Sequence, residues 1–278
     1  MNIINLTPDE LKQIQKLELE ALLEIDRICR KHSIKYSLAC GSLLGALRHG
    51  GFIPWDDDLD IIMTRNEYER FHKICNEELS SSYYLQSKET DSEYFRLYSK
   101  LRVNGTVFKE PAHSCYKIHH GVYVDIFPLD NTPSSGLARY WHILSFSFFS
   151  FILSAKYINI ASRHGYKKMM AIVLDCIFAP FSKEYLYKKA TSIAAKYKDS
   201  SKKCDLISFS GAYYKYGSFN SRIFKYFKNC SFEGKRIMII SNADKYLRIL
   251  YGDYWKLPPM EQRKCKHELC ELELPSID

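Results

Sequence analysis

The sequence contains no apolar run long enough to cross a membrane. Its two most apolar stretches, residues 139–157 and 169–181, are interrupted by serines or fall short of the roughly 20 residues that a spanning helix needs. The N-terminus lacks the basic and apolar regions of a secretory signal peptide. The nine cysteines follow no disulfide-framework spacing, so we expect reduced thiols and a cytoplasmic location.

Several catalytic and architectural signatures are also absent. No P-loop, serine nucleophile elbow or Rossmann glycine fingerprint occurs, which leaves P-loop NTPase, serine hydrolase and dehydrogenase functions without support. No segment repeats at a fixed period, which argues against solenoids and propellers. Two local groups of histidine and cysteine, residues 113–120 and 265–270, lack the paired cysteine spacing of zinc sites and do not favour structural zinc.

What the sequence does contain is typical of a folded protein with an anionic partner. Of its 278 residues, 46% are hydrophobic and 26% are charged, which excludes a disordered chain. Lys and Arg total 40 against 32 Asp and Glu, a net charge of +8. This balance favours nucleotide phosphates, nucleic acid or an acidic membrane surface, although ordinary surface lysines would give the same count.

The order of the predicted elements indicates a mixed α/β core. Helical periodicity after a capping box of Thr7 and Glu10 predicts a first helix that continues to about residue 30. The next predicted elements are, in order, a strand at 36–40, a helix at 43–49, a strand at 53–63, and a helix at 66–79 that a capping box of Thr64 and Glu67 begins.

Changes in amino-acid composition along the sequence divide the chain into three regions. Residues 1–135 are predicted to form most of a core in which helices flank a mixed sheet. Residues 136–205 are apolar, aromatic and helical, which indicates a buried helical hairpin or, alternatively, a hairpin that lies in a membrane interface. Residues 206–278 are predicted to complete the core with strands near 206 and at 235–240 and a helix at 242–251.

Two further strands carry charged residues that bear on function. Residues 94–103 alternate with period two, which predicts a half-buried strand with three cations, Lys100 and Arg102 among them, on its open face. These cations are candidates for binding phosphate, with a salt bridge as the alternative for Lys100. Residues 121–130 form another apolar strand, in which Asp125 stands among hydrophobic residues.

Gly41 and Ser42 are predicted to lie where a strand turns into a helix. The free N–H groups at a helix start receive phosphate readily, glycine leaves room for it, and the Ser42 hydroxyl adds another donor. Arg48, near the end of the same helix, is a further candidate for phosphate binding, with a surface salt bridge as its alternative.

The most informative cluster consists of four acids at the start of the strand at 53–63: Asp56, Asp57, Asp58 and Asp60. Because residues i and i+2 of a strand point to one face, Asp58 and Asp60 would present two carboxylates together. A cation would relieve their repulsion, and ligands made only of oxygen suit Mg²⁺ or Mn²⁺. With Asp125 on a neighbouring strand, three acids would hold two ions about 3.5–4 Å apart, an arrangement that serves phosphoryl transfer.

The sequence around these acids resembles the signature of a known protein family. ACGSLLGALRHGGFIPWDDDLDIIM at 39–63 closely resembles the signature of the LicD family, which belongs to the nucleotidyltransferase-fold superfamily and has fukutin among its relatives. YVDIFPLD at 123–130 resembles the family's second block, and FEGKRIMIIS at 232–241 with YLRILYGDYWKLPP at 246–259 resembles its C-terminal block. The resemblance covers most of the chain and is weakest over 135–205.

This resemblance implies an α/β (α+β) nucleotidyltransferase-like fold with an added aromatic-rich helical region. It also implies transfer of a phospho-alcohol, typically phosphocholine, from a CDP-activated donor to a hydroxyl of a cell-surface glycan, with release of CMP. Teichoic acid, lipopolysaccharide and capsular polysaccharide are acceptors of this kind. Matching the superfamily pattern assigns donor phosphate binding to Gly41 and Ser42 and assigns metal binding and catalysis to Asp58, Asp60 and Asp125.

Two residues near the motif have open roles. Asp57 would replace Asp58 if the strand register shifted by one residue. Trp55 is a candidate for cation–π contact with the quaternary ammonium of choline, with core packing as its alternative.

The expected cofactor is Mg²⁺ or Mn²⁺, as two ions, and the expected donor is a CDP-alcohol, with CDP-choline favoured. The acceptor is a glycan, for which a lipid-linked form and peripheral contact with the inner face of the membrane stay open; no nucleic-acid partner is expected. Two alternatives remain. One is a true nucleotidyltransferase that adds NMP to a sugar phosphate or another small molecule. The other is a non-catalytic basic binding module, for which paired buried acids are hard to explain.

Overall fold

The computed structural model describes residues 3–157, 165–200, 204–209 and 218–276. Within these ranges the helices are α1 (Pro8–Lys31), α2 (Cys40–Arg48), α3 (Arg65–Glu78), α4 (Gly136–Lys156), α5 (Gly165–Ile177), α6 (Lys183–Ala194) and α7 (Ala243–Tyr251). The strands are β1 (Ser37–Leu38), β2 (Leu59–Thr64), β3 (Tyr83–Gln86), β4 (Ser99–Val103), β5 (Val107–Lys109), β6 (Tyr123–Pro133), β7 (Cys204–Ile207), β8 (Phe219–Asn220), β9 (Phe227–Phe232), β10 (Lys235–Ile240) and β11 (Glu271–Glu273). The predicted α/β fold with a mixed sheet is confirmed.

The main sheet places β6 beside the strand that follows the acids. Its strand order is β1-β2-β6-β4-β3, and β7 and β8 extend it from the far end of β6. β2 and β6 run parallel, whereas the other pairs of this sheet are antiparallel. A parallel strand buried between two neighbours is expected to be apolar throughout, as LDIIM and YVDIF are apart from one acid each. The acids on these strands are therefore exceptions that require an explanation.

Helix α1 begins where its sequence predicts, whereas α2 begins three residues before the predicted start at residue 43. The Thr7 capping box forms: the hydroxyl accepts from the N–H of Glu10, whose carboxylate accepts in return from the N–H of Thr7. The second predicted capping box is wrong, because Thr64 begins α3 without a side-chain hydrogen bond. α2 starts at Cys40, so Gly41 and Ser42 lie in its first turn.

Strand β4 is buried on both faces, so the expectation of an open cationic face is wrong. β4 lies between β3 and β6, and Lys100 and Arg102 are 4% and 3% exposed. Each cation is paired within the protein: Lys100 with Asp125, and Arg102 with the side chain of Gln86 and the carbonyl of Gly121. Such partners offset the cost of burying a charge, a compensation that period-two alternation does not reveal.

The aromatic region forms helices, but only part of it is buried. α4 packs its inner side, including His142, Phe146 and Leu153, against α6 and the sheet. α5 does not follow the prediction of a buried hairpin, because Ala171 is its sole buried residue and the structure describes the whole helix. Residues 158–164, which connect the two helices, lie outside the described residues.

The C-terminal part of the chain adds two small sheets. β9 and β10 form a hairpin that the sequence prediction missed in its first strand; Gly234 at its turn has a φ of 70°, which favours glycine. β11 pairs with β5, and Leu269 bridges to Ile4 near the N-terminus. Together these pairings hold a segment that we call the C-terminal strap, residues 264–269, against the first half of the chain.

Candidate active site

Asp60 and Asp125 occupy matching positions on the two parallel strands. They are register partners between β2 and β6, so their side chains project from the same face of the sheet. Both are nearly fully buried, at 5% and 7% exposure. The adjacency of these strands, on which the prediction of a third acid depended, is therefore found.

The start of α2 is fastened to the same end of β2. The Asp60 N–H donates to Oγ of Ser42 at 2.8 Å, and the Asp60 carbonyl accepts from the Ala39 N–H at 2.9 Å. Gly41 faces the acids directly: a Cβ on this residue would lie 2.5 Å from Oδ2 of Asp56. A side chain at this position would displace the Asp56 carboxylate, so glycine preserves the arrangement of the acids.

The loop before β2 gathers three carboxylates. Asp56, Asp57 and Asp58 each offer an oxygen within 4.8 Å of the others, the sole group of three or more acidic, histidine or cysteine ligands that the described residues form. Gln15 of α1 supports this loop, since its amide Nε2 donates to the Asp56 carbonyl at 2.9 Å. The triple cluster differs from the predicted ligand set of Asp58, Asp60 and Asp125, with which it shares Asp58.

The C-terminal strap covers these acids from outside. Asp57, fully buried, accepts from the main-chain N–H of Lys266 at 3.3 Å and of His267 at 3.1 Å, and the ring Nδ1 of His267 donates to it at 3.1 Å. Lys266 Nζ lies 3.5 Å from Oδ1 of Asp56. Burial disfavours protonation of His267, but its hydrogen bond to Asp57 and the charge of Asp58 outweigh that effect and raise its pKa to about 9.

The acids of the site lie close together and are largely buried, so their negative charges disfavour one another's ionisation. Burial and the nearby Asp58 and Asp125 raise the pKa of Asp60 well above its usual value, and burial also raises the pKa of Asp58. Behind the loop, Glu18 of α1 is 1% exposed, and its Oε2 has no hydrogen-bond partner among the described residues. Burial and the Asp58 charge raise the Glu18 pKa well above its usual value.

The donor set suits a hard divalent cation. Every ligand that converges here is a carboxylate oxygen, which Mg²⁺ and Mn²⁺ prefer. Lys100, Lys266 and His267 are the described cations in contact with this group, and they are fewer than the acids. A bound cation would supply the missing positive charge, so the residues present fit the predicted metal.

On the other side of Asp125, a buried cation fixes the carboxylate. Lys100 Nζ lies 2.7 Å from Oδ1 of Asp125 and 3.2 Å from the centre of the Tyr123 ring. Burial lowers the pKa of Lys100, and the Asp125 charge opposes that shift. Arg102 also stacks on Tyr123, with its guanidinium carbon 4.6 Å from the ring centre.

Of the remaining predicted residues, Trp55 lines a neighbouring cavity, whereas Arg48 does not. This cavity measures about 1070 Å³ and is lined by the N-terminal segment, Trp55 and the strap, including Lys266 and His267. The guanidinium of Arg263 lies 5.6 Å from the Trp55 ring centre. Arg48 lies at the end of α2, where its Nη1 donates to the Tyr254 carbonyl at 2.7 Å.

Three functional candidates escaped the sequence analysis, Glu18, Glu110 and Lys266, and a fourth, His267, was considered there only within the histidine and cysteine group at 265–270. Glu18 had a visible signal, since it falls on the apolar stripe of α1 between Ile14 and Leu22. Glu110 is a mostly buried acid that accepts from His113 and electrostatically favours protonation of His267. No local sequence pattern indicates the contacts of Lys266 and His267 with the acids, because their partners are about 210 positions earlier in the chain.

Comparison with family models finds one match. The model described as LicD/FKTN/FKRP, nucleotidyltransferase domain, matches residues 33–152. This range contains α2, β2, β4, β6 and every acid that was predicted to bind metal. It also reaches into α4.

Comparison with curated proteins finds one relative of full length and two short matches. The chain is 28% identical over 274 residues to the lipopolysaccharide cholinephosphotransferase LicD of Haemophilus influenzae, covering 92% of this chain and 96% of the relative. An uncharacterized protein of Rickettsia typhi is 35% identical over 77 residues, and one of Rickettsia prowazekii is 37% identical over 75 residues. These two matches span 25% and 28% of the relatives' lengths, so they bear on a segment only.

Proposed function

We propose that this chain, of which residues 33–152 match the LicD/FKTN/FKRP nucleotidyltransferase domain, belongs to the LicD family and transfers phosphocholine from CDP-choline to a hydroxyl of a cell-surface glycan, with release of CMP. The observation that carries the proposal is the in-register pairing of Asp60 and Asp125, with Asp58 immediately before the same strand. The full-length relative from Haemophilus influenzae, named a lipopolysaccharide cholinephosphotransferase, supports the substrate class.

We assign metal binding to the acids of β2, of β6 and of the loop before β2. Asp58, Asp60 and Asp125 would hold Mg²⁺ or Mn²⁺, as two ions, and Asp56 and Asp57 each offer an oxygen within 4.8 Å of one from Asp58. When bound, the ions would neutralise the donor diphosphate and polarise the phosphorus that bears choline. The buried surroundings strengthen such charge interactions, because little water screens them.

The chemical step is a displacement at that phosphorus. The acceptor oxygen forms a new P–O bond, and the bond to the bridging diphosphate oxygen breaks with its electron pair leaving on CMP. The hydroxyl proton passes to Asp125, whose carboxylate Lys100 holds in a fixed direction. The product is a phosphodiester between choline and the glycan, so atoms and charge balance.

We assign donor binding to the cavity beside the acids. Lys266 lines this cavity and also contacts Asp56, so its exposed ammonium is placed to bind the donor phosphates at the edge of the acid cluster. Trp55 lines the same cavity, and its ring already faces the cation of Arg263. A quaternary ammonium such as choline would bind that ring face by the same attraction, in place of Arg263.

Among the other predicted phosphate ligands, Gly41 and Ser42 keep their proposed role, whereas the three basic residues already have partners within the protein. Gly41 and Ser42 lie in the first turn of α2, next to Asp56 and Asp60. Ser42 accepts from Asp60, which leaves its hydroxyl proton for a donor phosphate. Arg48, Lys100 and Arg102 already have protein partners, so any contact with phosphate would require an exchange of partners.

The test is to incubate the purified chain with Mg²⁺, a panel of CDP-alcohols and a glycan extract, and to follow CMP and acceptor mass. We expect CMP release that depends on the acceptor, with phosphocholine added to the glycan. Asp60→Asn should abolish release, whereas the exposed Asp253→Asn serves as the matched control.

Two outcomes would overturn the proposal. Addition of a nucleotide to the acceptor, with diphosphate released from a nucleoside triphosphate, would identify a nucleotidyltransferase instead. Ligand binding that survives in Asp60→Asn, without turnover by the unmodified chain on any donor, would indicate a non-catalytic basic module.

A further inference from the structure

Helix α4 is apolar on two opposite sides, and the outer side has no covering element among the described residues. The large side chains of the outer side recur at helical spacing, so they form one stripe about 21 Å long: Leu137, Trp141, Leu144, Phe148 and Phe151. All five are exposed, and Trp141 is 55% accessible. A helix of an isolated water-soluble domain normally presents polar residues on its outer side.

Helix α5, which contacts α4, is exposed over almost all of its surface despite an apolar sequence. Its exposed residues include Met169, Met170, Ile172, Val173 and Ile177. Together with the outer stripe of α4 these residues define what we call the α4–α5 face. Contiguous apolar surface of this kind marks an interaction site.

The packing and the dimensions argue for lying on a membrane and not for crossing one, because α4, although about 31 Å long, has its inner side packed against α6 and the sheet. At 1.5 Å per residue, α5 is about 20 Å long, shorter than the roughly 30 Å hydrocarbon core of a bilayer. In the described part of the chain, no helix is both long and apolar enough to be a membrane span. An apolar helix face that lies parallel to the bilayer surface needs no such length.

The charges on these two helices favour a lipid with an anionic headgroup. α4 contains no Asp or Glu, and α5 contains only Asp175, which pairs with Lys156 of α4 at 3.1 Å. Lys167 and Lys168 are exposed at the start of α5. This positive balance complements anionic lipid headgroups, with which each basic residue near the surface contributes favourably.

The same charges argue against a second copy of the chain as the occupant. A symmetric dimer through this face would enclose Lys167 and Lys168 of both copies in one interface, where the two helices offer a single acid per copy, Asp175, which already pairs with Lys156. Trp141 in the face and Tyr140 and Tyr166 beside it are exposed, and Tyr and Trp are the residues that favour the boundary between lipid and water.

We propose that the α4–α5 face docks the protein on the surface of an anionic lipid bilayer. β6, which carries Asp125, is followed directly by α4, so the docking helix and one acid of the candidate site belong to consecutive elements of the fold. The consequence for catalysis, that the glycan acceptor is lipid-linked, rests on the proposed function; the docking itself does not.

The test is co-sedimentation of the full chain with vesicles that contain phosphatidylglycerol, and with matched vesicles of phosphatidylcholine alone. We expect binding to the anionic vesicles that weakens with added salt. The double variant Trp141→Glu, Phe148→Glu should bind about tenfold or more weakly, because two apolar contacts are lost and two negative charges are added. Tyr226→Glu, an exposed aromatic outside the face, should bind like the unmodified chain.

Three results would overturn the proposal. The first is unmodified protein that stays in solution with both vesicle types at low salt. The second is a Trp141→Glu, Phe148→Glu variant that sediments normally. The third is a concentration-dependent dimer that this variant abolishes, which would assign the face to a second copy. Thermal melting checks that the variant is folded, and CMP release with a soluble glycan acceptor separates the transferase from docking: vesicle binding without any CMP release contradicts only the transferase.

Discussion

The carboxylate of Asp57 is bound by the main-chain N–H and by the ring of His267, a residue 210 positions later in the sequence. This contact joins the acid loop to the C-terminal strap and brings Lys266 beside Asp56. The candidate active site is thus assembled from both halves of the chain, and its substitutions should separate catalysis, metal binding and donor binding.

We expect Asp60→Asn to remove activity without harming the fold. Asn keeps the shape of the side chain but loses the charge that would hold metal, so kcat/KM for CMP release should fall by about a thousandfold or more. Because burial and neighbouring acids raise the pKa of Asp60, removing its charge should leave Tm without added metal equal or higher. A lower Tm together with retained turnover would contradict the assignment.

Metal binding should be visible without any substrate. A ligand that binds only the folded state stabilises it by RT ln(1 + [L]/Kd), about 2.7 kcal/mol at a hundredfold excess over Kd. We therefore expect Mg²⁺ or Mn²⁺ to raise the Tm of the unmodified chain and of Asp253→Asn, but not of Asp60→Asn. An equal rise in all three would show that the ion binds elsewhere.

Lys266 should act on the donor and not on the fold. Lys266→Met keeps the length of the side chain and removes its charge, so KM for CDP-choline should rise about tenfold while Tm stays within a degree or so. Lys264→Met changes an exposed lysine on the same strap and is the matched control. If both variants behave alike, the strap lysines provide only general positive charge.

The stability of the fold should fall in mild acid through His72. The Ser99 hydroxyl lies 2.8 Å from Nε2 of His72, and Tyr68 in turn hydrogen-bonds to Ser99. Burial lowers the pKa of His72 to about 4 from the ordinary 6.5, so between these values the unfolded chain binds more protons than the folded one. The free energy of unfolding therefore rises with pH across that window. The contribution of His72 to it is lost as pH falls from 6.5 towards 4.

The variant His72→Gln has no titrating ring and should show a flatter dependence. Urea unfolding of both proteins at pH 7 and pH 5 measures the difference. An unchanged pH dependence in His72→Gln would mean that other groups cause the loss.

Part of the site follows from local sequence and part does not. An apolar run containing a single acid predicts a buried strand with a functional carboxylate, and this reasoning located Asp60 and Asp125 on neighbouring strands. The burial of Lys100 could not be predicted in the same way, since alternation reports which residues share a face but not whether a partner neutralises the charge. The strap contacts involve no periodic pattern and depend on tertiary structure alone.

The helices show the same division. Capping residues correctly gave the start of α1, where side chain and backbone are three residues apart. The sequence pattern of α4 and α5 predicted helices, but it could not distinguish an apolar face that packs against the core from one that is exposed. Exposure in the folded structure supplies that information.

The attachment of the strap has a kinetic consequence. It is held by the three residue pairs between β11 and β5, by the bridge between Ile4 and the fully buried Leu269, and by its contacts with Asp56 and Asp57. Because Lys266 is exposed and His267 is half-buried whereas β2 is mostly buried, we expect the part of the strap before Leu269 to open locally at a lower free energy than unfolding of the sheet requires. Amide hydrogens of Lys266 and His267 should then exchange with solvent sooner than those of β2, and the rate of that opening would set an upper limit on how quickly a substrate reaches the acids from this side.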